Sequence, residues 1–169
     1  PDRLMHTLES DRELQDVKRM STSPQARPAF GTVLADQMAV ASFRDGRWSA
    51  HEIKPTGPVQ IHPAAHVLHY ASECFEGFKA YRWADGSIHV FRMDKHIERM
   101  RQSARLLVLP EPDAKQLATM VLTVIDRVRG QVPEPPGALY LRPMLYGTMP
   151  NIGAASAPSN EATLIVLAS

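Results

Sequence analysis

The sequence predicts a domain of mixed helices and strands, and three features carry that expectation. Two Asp-Gly turns each separate runs of strand-forming residues. A segment after Asp113 repeats its apolar residues with helical period. Near the C-terminal end, the apolar run TLIVL (163–167) reads as a fully buried strand.

Taken in order, residues 1–22 are polar, and Leu14, Val17 and Met20 offer one apolar stripe for a short surface helix. STSPQARP (21–28) reads as a linker, so residues 1–29 form an N-terminal arm and the compact domain, expected over 30–154, starts near Phe30. Met38 and Val40 then alternate with Gln37, Ala39 and Ala41. Asp45-Gly46 makes a turn, and Trp48 opens the return strand. The second hairpin pairs FKAYRW (78–83) with IHVFR (88–92) across ADGS (84–87). Pro63 precedes a short helix over 64–72. Asp94 is expected to cap a helix reaching about Leu107, with Ile97, Met100, Ala104 and Leu107 on one face. Asp113 caps a longer helix bearing Leu117, Met120, Val121, Val124, Ile125 and Val128, closed by Gly130. ALYLRPMLY (138–146) reads as a strand that tolerates Pro143 at an edge or bulge. A Gly/Pro/Ser/Asn-rich connector follows over 147–161. The buried strand after it, so close to Ser169, suggests that the polypeptide continued. Residues 155–169 are therefore expected to be an interdomain connector and the first strand of a second domain.

Composition narrows the chemistry. Nineteen Lys+Arg against 18 Asp+Glu leave a net charge of +1, which argues against a polybasic nucleic-acid binder. Hydrophobic residues at 44% exclude wholesale disorder in 169 residues. No run of about 18 apolar residues suggests a membrane span, and the first 20 residues lack a signal-peptide core, so a cytoplasmic protein is expected. The lone Cys74 excludes an internal disulfide framework and a cysteine-based zinc site. Its acidic neighbours Glu73 and Glu76 would raise its pKa, which favours a buried structural thiol over a nucleophile. His62, His66 and His69 share a helical spacing that zinc sites use, but no Glu falls between them, and packing is the favoured role. No glycine-rich phosphate loop and no GxSxG elbow occurs.

The arginines, fourteen against five lysines, are more informative. Arg99 lies beside the apolar face of its helix, where a guanidinium calls for an anion. A phosphate or a carboxylate would serve, and so would plain exposure to water. Arg142 alternates with Tyr140 on one side of a strand. That pair could recognise a carboxylate or could be a surface pair.

Four blocks resemble branched-chain amino-acid aminotransferases, pyridoxal-phosphate enzymes of fold type IV. They are LHYASECFEGFKAYRWADG (68–86), FRMDKHIERMRQSA (91–104), ALYLRPMLYGTMPNIG (138–153) and the closing LIVLAS (164–169). Their order and spacing match the small N-terminal domain of that family, over about half of a family enzyme. The resemblance implies an α+β fold, a small two-layer domain with an antiparallel sheet and flanking helices. It implies pyridoxal 5'-phosphate as cofactor, branched-chain amino acids and 2-oxoglutarate/glutamate as substrates, and a homodimer. Carried over by motif, Arg99 matches the arginine that holds the cofactor phosphate. Phe75 and Gly77 match the walls of the side-chain pocket, and Tyr70 a tyrosine that reaches the partner subunit's pocket. Tyr140 and Arg142 match the pair near the substrate carboxylates, with Arg142 the candidate for the second carboxylate of glutamate. Ile152 and Ala154 match the interdomain loop over the partner's pocket. The family's Schiff-base lysine has no counterpart among Lys18, Lys54, Lys79, Lys95 and Lys115, and Lys79 is assigned a structural place. The 169 residues alone are expected to be inactive. A D-amino-acid aminotransferase, an aminodeoxychorismate lyase of the same fold, or a truncated binding or dimerisation domain stand as alternatives.

Overall fold

The computed structural model describes residues 29–153 and 157–169. The arm helix expected at Leu14, Val17 and Met20 therefore lies outside the described residues. The chain divides into two units, Pro1–Thr32 and Val33–Ser169. Of the first, residues 29–32 form a turn in which the Thr32 amide donates to the Ala29 carbonyl at 3.1 Å.

Among the described residues, the second unit carries eight strands: β1 (Gln37–Arg44), β2 (Arg47–Trp48), β3 (Glu52–Pro55), β4 (Glu73–Phe75), β5 (Phe78–Arg82), β6 (Ile88–Val90), β7 (Leu139–Gly147) and β8 (Ala162–Ala168). Its helices are α1 (His66–Tyr70), α2 (Met93–Leu106) and α3 (Ala114–Arg127). All these strands join one sheet, ordered β2-β1-β8-β7-β5-β6, with β3 also on β1 and β4 also on β7. Each pairing is antiparallel. This is the α+β, two-layer arrangement with flanking helices that the sequence resemblance implied.

Local chemistry explains the hairpins. Asp45 and Gly46 have φ of 52° and 75°, the two positive values that a tight β1–β2 turn demands. Gly86, at φ 80°, takes the left-handed position between β5 and β6, and Trp83 and Ser87 close the loop. Helix α3 starts as its sequence predicts, with the Asp113 carboxylate accepting from the Gln116 amide at 2.7 Å.

Three boundaries differ from expectation. The cap of α2 is Arg92, in a left-handed conformation, and Asp94 sits inside the first turn, because the Arg92 carbonyl already accepts from Lys95 and His96. Gly130 does not close α3. It falls in a 3-10 turn, Arg129–Gln131, that continues the helix end. The third difference concerns residues 155–169: β8 does not open a separate domain. It lies between β1 and β7 in the middle of this sheet, paired on both edges. An apolar run satisfies its backbone best where both neighbours are strands.

The core lies where α2 and α3 cover one sheet face. Met100, Leu117, Met120, Val121 and Val124 meet Ala39, Leu141, Leu145, Leu164 and Val166, all fully buried. Each large side chain there contributes about 1.5–3 kcal/mol of burial. The opposite face carries a smaller cluster, Met38, Tyr146 and Ile165, on which α1 sets Val67.

Pro143 sits in mid-sheet without interrupting the ladder to β8. Tyr140 and Ser169 exchange both backbone hydrogen bonds, at 2.8 and 2.9 Å, so the amides of residues 140, 142 and 144 face β8. The missing donor of Pro143 faces the other way, at the break between β4 and β5. There the Pro143 carbonyl accepts from the Glu76 amide at 2.9 Å.

If Asp113 is the true cap and Asp94 is not, Asp113→Ala should cost about 1 kcal/mol in urea unfolding. Asp94→Ala should cost less, through the helix dipole alone.

Candidate functional site

The break between β4 and β5 is Glu76-Gly77, and with Phe75, the last residue of β4, its alternation sends side chains to both sides of the sheet. Cys74 and Phe78, flanking these three residues, belong to the helix-side core. Phe75 and Gly77 therefore face the open side, and Glu76 faces α2.

On the open side, the Arg142 guanidinium carbon lies 4.1 Å from the centre of the Phe75 ring and 5.3 Å from that of Tyr140. Arg142 Nε and Nη2 donate to the Tyr140 hydroxyl at 3.1 and 2.9 Å. A Cβ on Gly77 would fall 2.8 Å from the Tyr140 ring carbon Cζ, so the bare backbone is what lets that ring lie down. The structure thus brings together four residues singled out in the sequence: Phe75, Gly77, Tyr140 and Arg142. They form an aromatic surface with one cation held flat on it. Phe75 is 55% exposed, so this surface is open to a ligand.

Tyr70 and Ile152 form a second group. The Tyr70 hydroxyl donates to the Ile152 carbonyl, which ties the end of α1 to the loop after β7. The Ala65–Pro150 bridge and the bond from the His66 amide to the Met149 carbonyl reinforce that tie. Ala154 lies outside the described residues. The three histidines of the α1 region are each hydrogen-bonded within the fold. His62 accepts from the Ala64 amide, and His69 donates to the Pro63 carbonyl. Buried His66 bridges Ser72 and the Ala157 carbonyl at 2.8 and 3.1 Å. Cys74 is buried, and burial, then Glu73 and Glu76, push its thiol up to about 11. It is a packing residue at neutral pH.

On the helix side, Glu76 is 5% exposed and accepts from Arg99 through both oxygens. Oε1 takes Arg99 Nε, and Oε2 takes Arg99 Nη2 at 2.5 Å and His96 Nδ1 at 3.2 Å. The His96 ring stacks on Phe78 at 4.8 Å, 21° from parallel. The anion that Arg99 calls for is thus supplied within the fold, by a carboxylate 23 residues away in sequence. Burial pushes the Glu76 carboxyl up. The hydrogen bonds and charges of Arg99 and His96 outweigh it and leave the pKa below its ordinary value of 4.5.

Arg99 also lines an open cleft of about 410 Å³ with Phe91, Arg92, Lys95 and His96. Three permanent cations with one aromatic side chain could hold a phosphate-sized anion. By contrast, Arg101 and Arg105 are engaged with Glu98 and Glu111. Sequence reasoning singled out Arg99 but missed Glu76, His96, Arg92 and Lys95. Glu76 stood inside the FEG block, yet only its pairing partner gives it a role.

Residues 73–169 match the family described as amino-transferase class IV. The chain is 44% identical over 143 residues to a branched-chain-amino-acid aminotransferase of Mycobacterium tuberculosis, covering 82% of this chain and 38% of that one. Among solved structures, it is similar to a branched-chain aminotransferase of Thermoproteus uzoniensis with norvaline, at 27% identity and TM-score 0.57, covering 79% of this chain and 40% of that one. It is also similar to a T.th. branched-chain amino acid aminotransferase complexed with N-(5'-phosphopyridoxyl)-L-glutamate, at 25% identity and TM-score 0.56, covering 76% and 39%. The chain therefore spans about two fifths of the length of these relatives.

Two outcomes follow from the geometry. Gly77→Ala should destabilise by roughly 1–3 kcal/mol, and by clearly less when Tyr140 is already Ala, in a double-mutant cycle of urea unfolding. The depressed pKa of Glu76 contributes stability that is present above 4.5 and lost as the pH falls through its folded value. Glu76→Gln should flatten the acid limb of a stability–pH profile and leave its shape near neutrality unchanged.

Proposed function

The chain belongs to the class IV aminotransferase family, and from that premise we propose that the complete protein is a branched-chain amino-acid aminotransferase. It would move the amino group of Leu, Ile or Val to 2-oxoglutarate with pyridoxal 5'-phosphate. The observation that carries this reading is the double role of Phe75-Glu76-Gly77. That tripeptide sets an apolar wall beside Arg142 and Tyr140 and, through Glu76, ties the same wall to the cationic cleft of Arg99. The names of the relatives support it, as does a bound compound that joins a phosphopyridoxyl group to glutamate.

The donor set fits the cofactor: its phosphate carries about two negative charges, and Arg99, Arg92 and Lys95 line one cleft. Bound there, pyridoxal phosphate supplies the electron sink that amino-group transfer needs. Phe75 and the Tyr140 ring, which lies over Gly77, pack an aliphatic side chain and keep water from it. Arg142, oriented by Tyr140, takes the second carboxylate of glutamate or 2-oxoglutarate, because a desolvated charge needs a partner. Tyr70, Ile152 and Ala154 serve the pocket of the partner in a homodimer. None of Lys18, Lys54, Lys79, Lys95 and Lys115 is read as the lysine that would hold the cofactor covalently. Lys79, exposed on β5 opposite Tyr140, keeps a structural place. The enzyme is read as cytoplasmic.

Turnover of L-leucine with 2-oxoglutarate by the complete protein tests this reading, and a preference for D-amino acids overturns it. Phe75→Ala should cost roughly 1–3 kcal/mol in kcat/KM for leucine. Arg142→Ala should raise KM for 2-oxoglutarate roughly 10- to 100-fold, and that for leucine less.

A further inference from the structure

We infer that Glu76 is a positioning residue, which holds the Arg99 guanidinium in the one orientation that offers its free edge to the cofactor phosphate. The inference rests on the reading of Arg99 as the phosphate ligand and adds how that ligand is set.

Arg99 is 60% exposed, yet it is not free to wander. An exposed arginine left to itself samples many rotamers and must give up that freedom when it binds. Here Glu76 takes Nε and one Nη2 hydrogen. A guanidinium has five donors: Nη2 also lies 3.4 Å from His96 Nδ1, and the two Nη1 hydrogens remain for an anion in the cleft that Arg99 lines.

Glu76 is itself immobile. Its backbone amide is bound to the Pro143 carbonyl at 2.9 Å, between two strands held in one register on β7. Its carboxylate is 5% exposed and has a third partner, His96, whose ring is clamped on Phe78. The orientation of Arg99 is therefore inherited from the sheet rather than from its own helix. The neighbouring arginines of α2 lack this support. Arg101 and Arg105 pair with Glu98 and Glu111, which are themselves partly or largely exposed.

A carboxylate beside a phosphate site looks counterproductive, and that is what makes the idea testable by sign. Glu76→Gln removes a negative charge from the neighbourhood of an anion. Acting through the electric field alone, it would tighten phosphate binding. Acting through orientation, it loosens it, because the Gln amide presents N–H groups to a guanidinium that has only donors.

The experiment is equilibrium titration of the apo form of the complete protein with pyridoxal 5'-phosphate, and separately with pyridoxal, which lacks the phosphate. Glu76→Gln should weaken pyridoxal 5'-phosphate on the order of 10-fold and leave pyridoxal unchanged. Added to Arg99→Ala, it should cost nothing further, because its effect passes through Arg99. Should Glu76→Gln not fold, Glu76→Asp keeps the charge, withdraws the carboxylate by one methylene and should show the same selective loss. If Arg99→Ala binds like wild type, the phosphate reading itself fails. If Arg99→Ala weakens binding but the Glu76 variants bind as well as wild type or better, or lose pyridoxal equally, Glu76 does not position Arg99.

Discussion

The bidentate pairing of Glu76 with Arg99 is the interaction on which the arrangement of this domain turns. It joins the sheet to α2 at the point where two strands on the same edge of β7 break. A buried carboxylate is costly unless it is paired and hydrogen-bonded, and Glu76 meets that condition with Arg99, His96 and its own amide on Pro143. Because the side chain points toward the helices, its neighbours Phe75 and Gly77 must point the other way. The register of one tripeptide thereby sets the contents of two surfaces on opposite sides of the sheet.

Those surfaces differ in character for a physical reason. The helix-side cleft gathers Arg92, Lys95 and Arg99 near the start of α2, where one carboxylate offsets only part of their charge. The open side places a single cation, Arg142, against the Phe75 and Tyr140 rings, with its donors partly used on the Tyr140 hydroxyl. The first surface suits a compact, strongly charged anion. The second suits an aliphatic chain that ends in a carboxylate.

Rigidity comes from the middle of the sheet. β8 is paired on both edges, and with β7 it carries the fully buried Leu141, Leu145, Leu164 and Val166 against α2 and α3. Tyr140 and Arg142 stand on β7, the strand that β8 backs, so the aromatic surface rests on the most deeply buried part of the sheet. Tyr70 and Ile152 belong to a lighter region, a five-residue helix and a loop joined by a few hydrogen bonds.

Short-range chemistry was legible in the sequence by itself. Asp45-Gly46 and Asp85-Gly86 made their turns, Asp113 capped α3, and the apolar stripes of α3 and, except for exposed Leu107, of α2 faced the core, because each depends on residues within a few positions. Wall residues that share a strand face, such as Tyr140 and Arg142, were legible for the same reason. The tertiary structure alone decided what depends on distant pairing. It placed β8 inside this sheet rather than in another domain, created β4 by laying Glu73–Phe75 on β7, and made Arg92 rather than Asp94 the start of α2. It also chose the anion for Arg99. From spacing, a phosphate, a carboxylate or plain exposure to water would serve. Only when the β4–β5 break meets Pro143 does Glu76 come within reach, since a residue's electrostatic partner is set by where the chain returns and not by the helix it stands on.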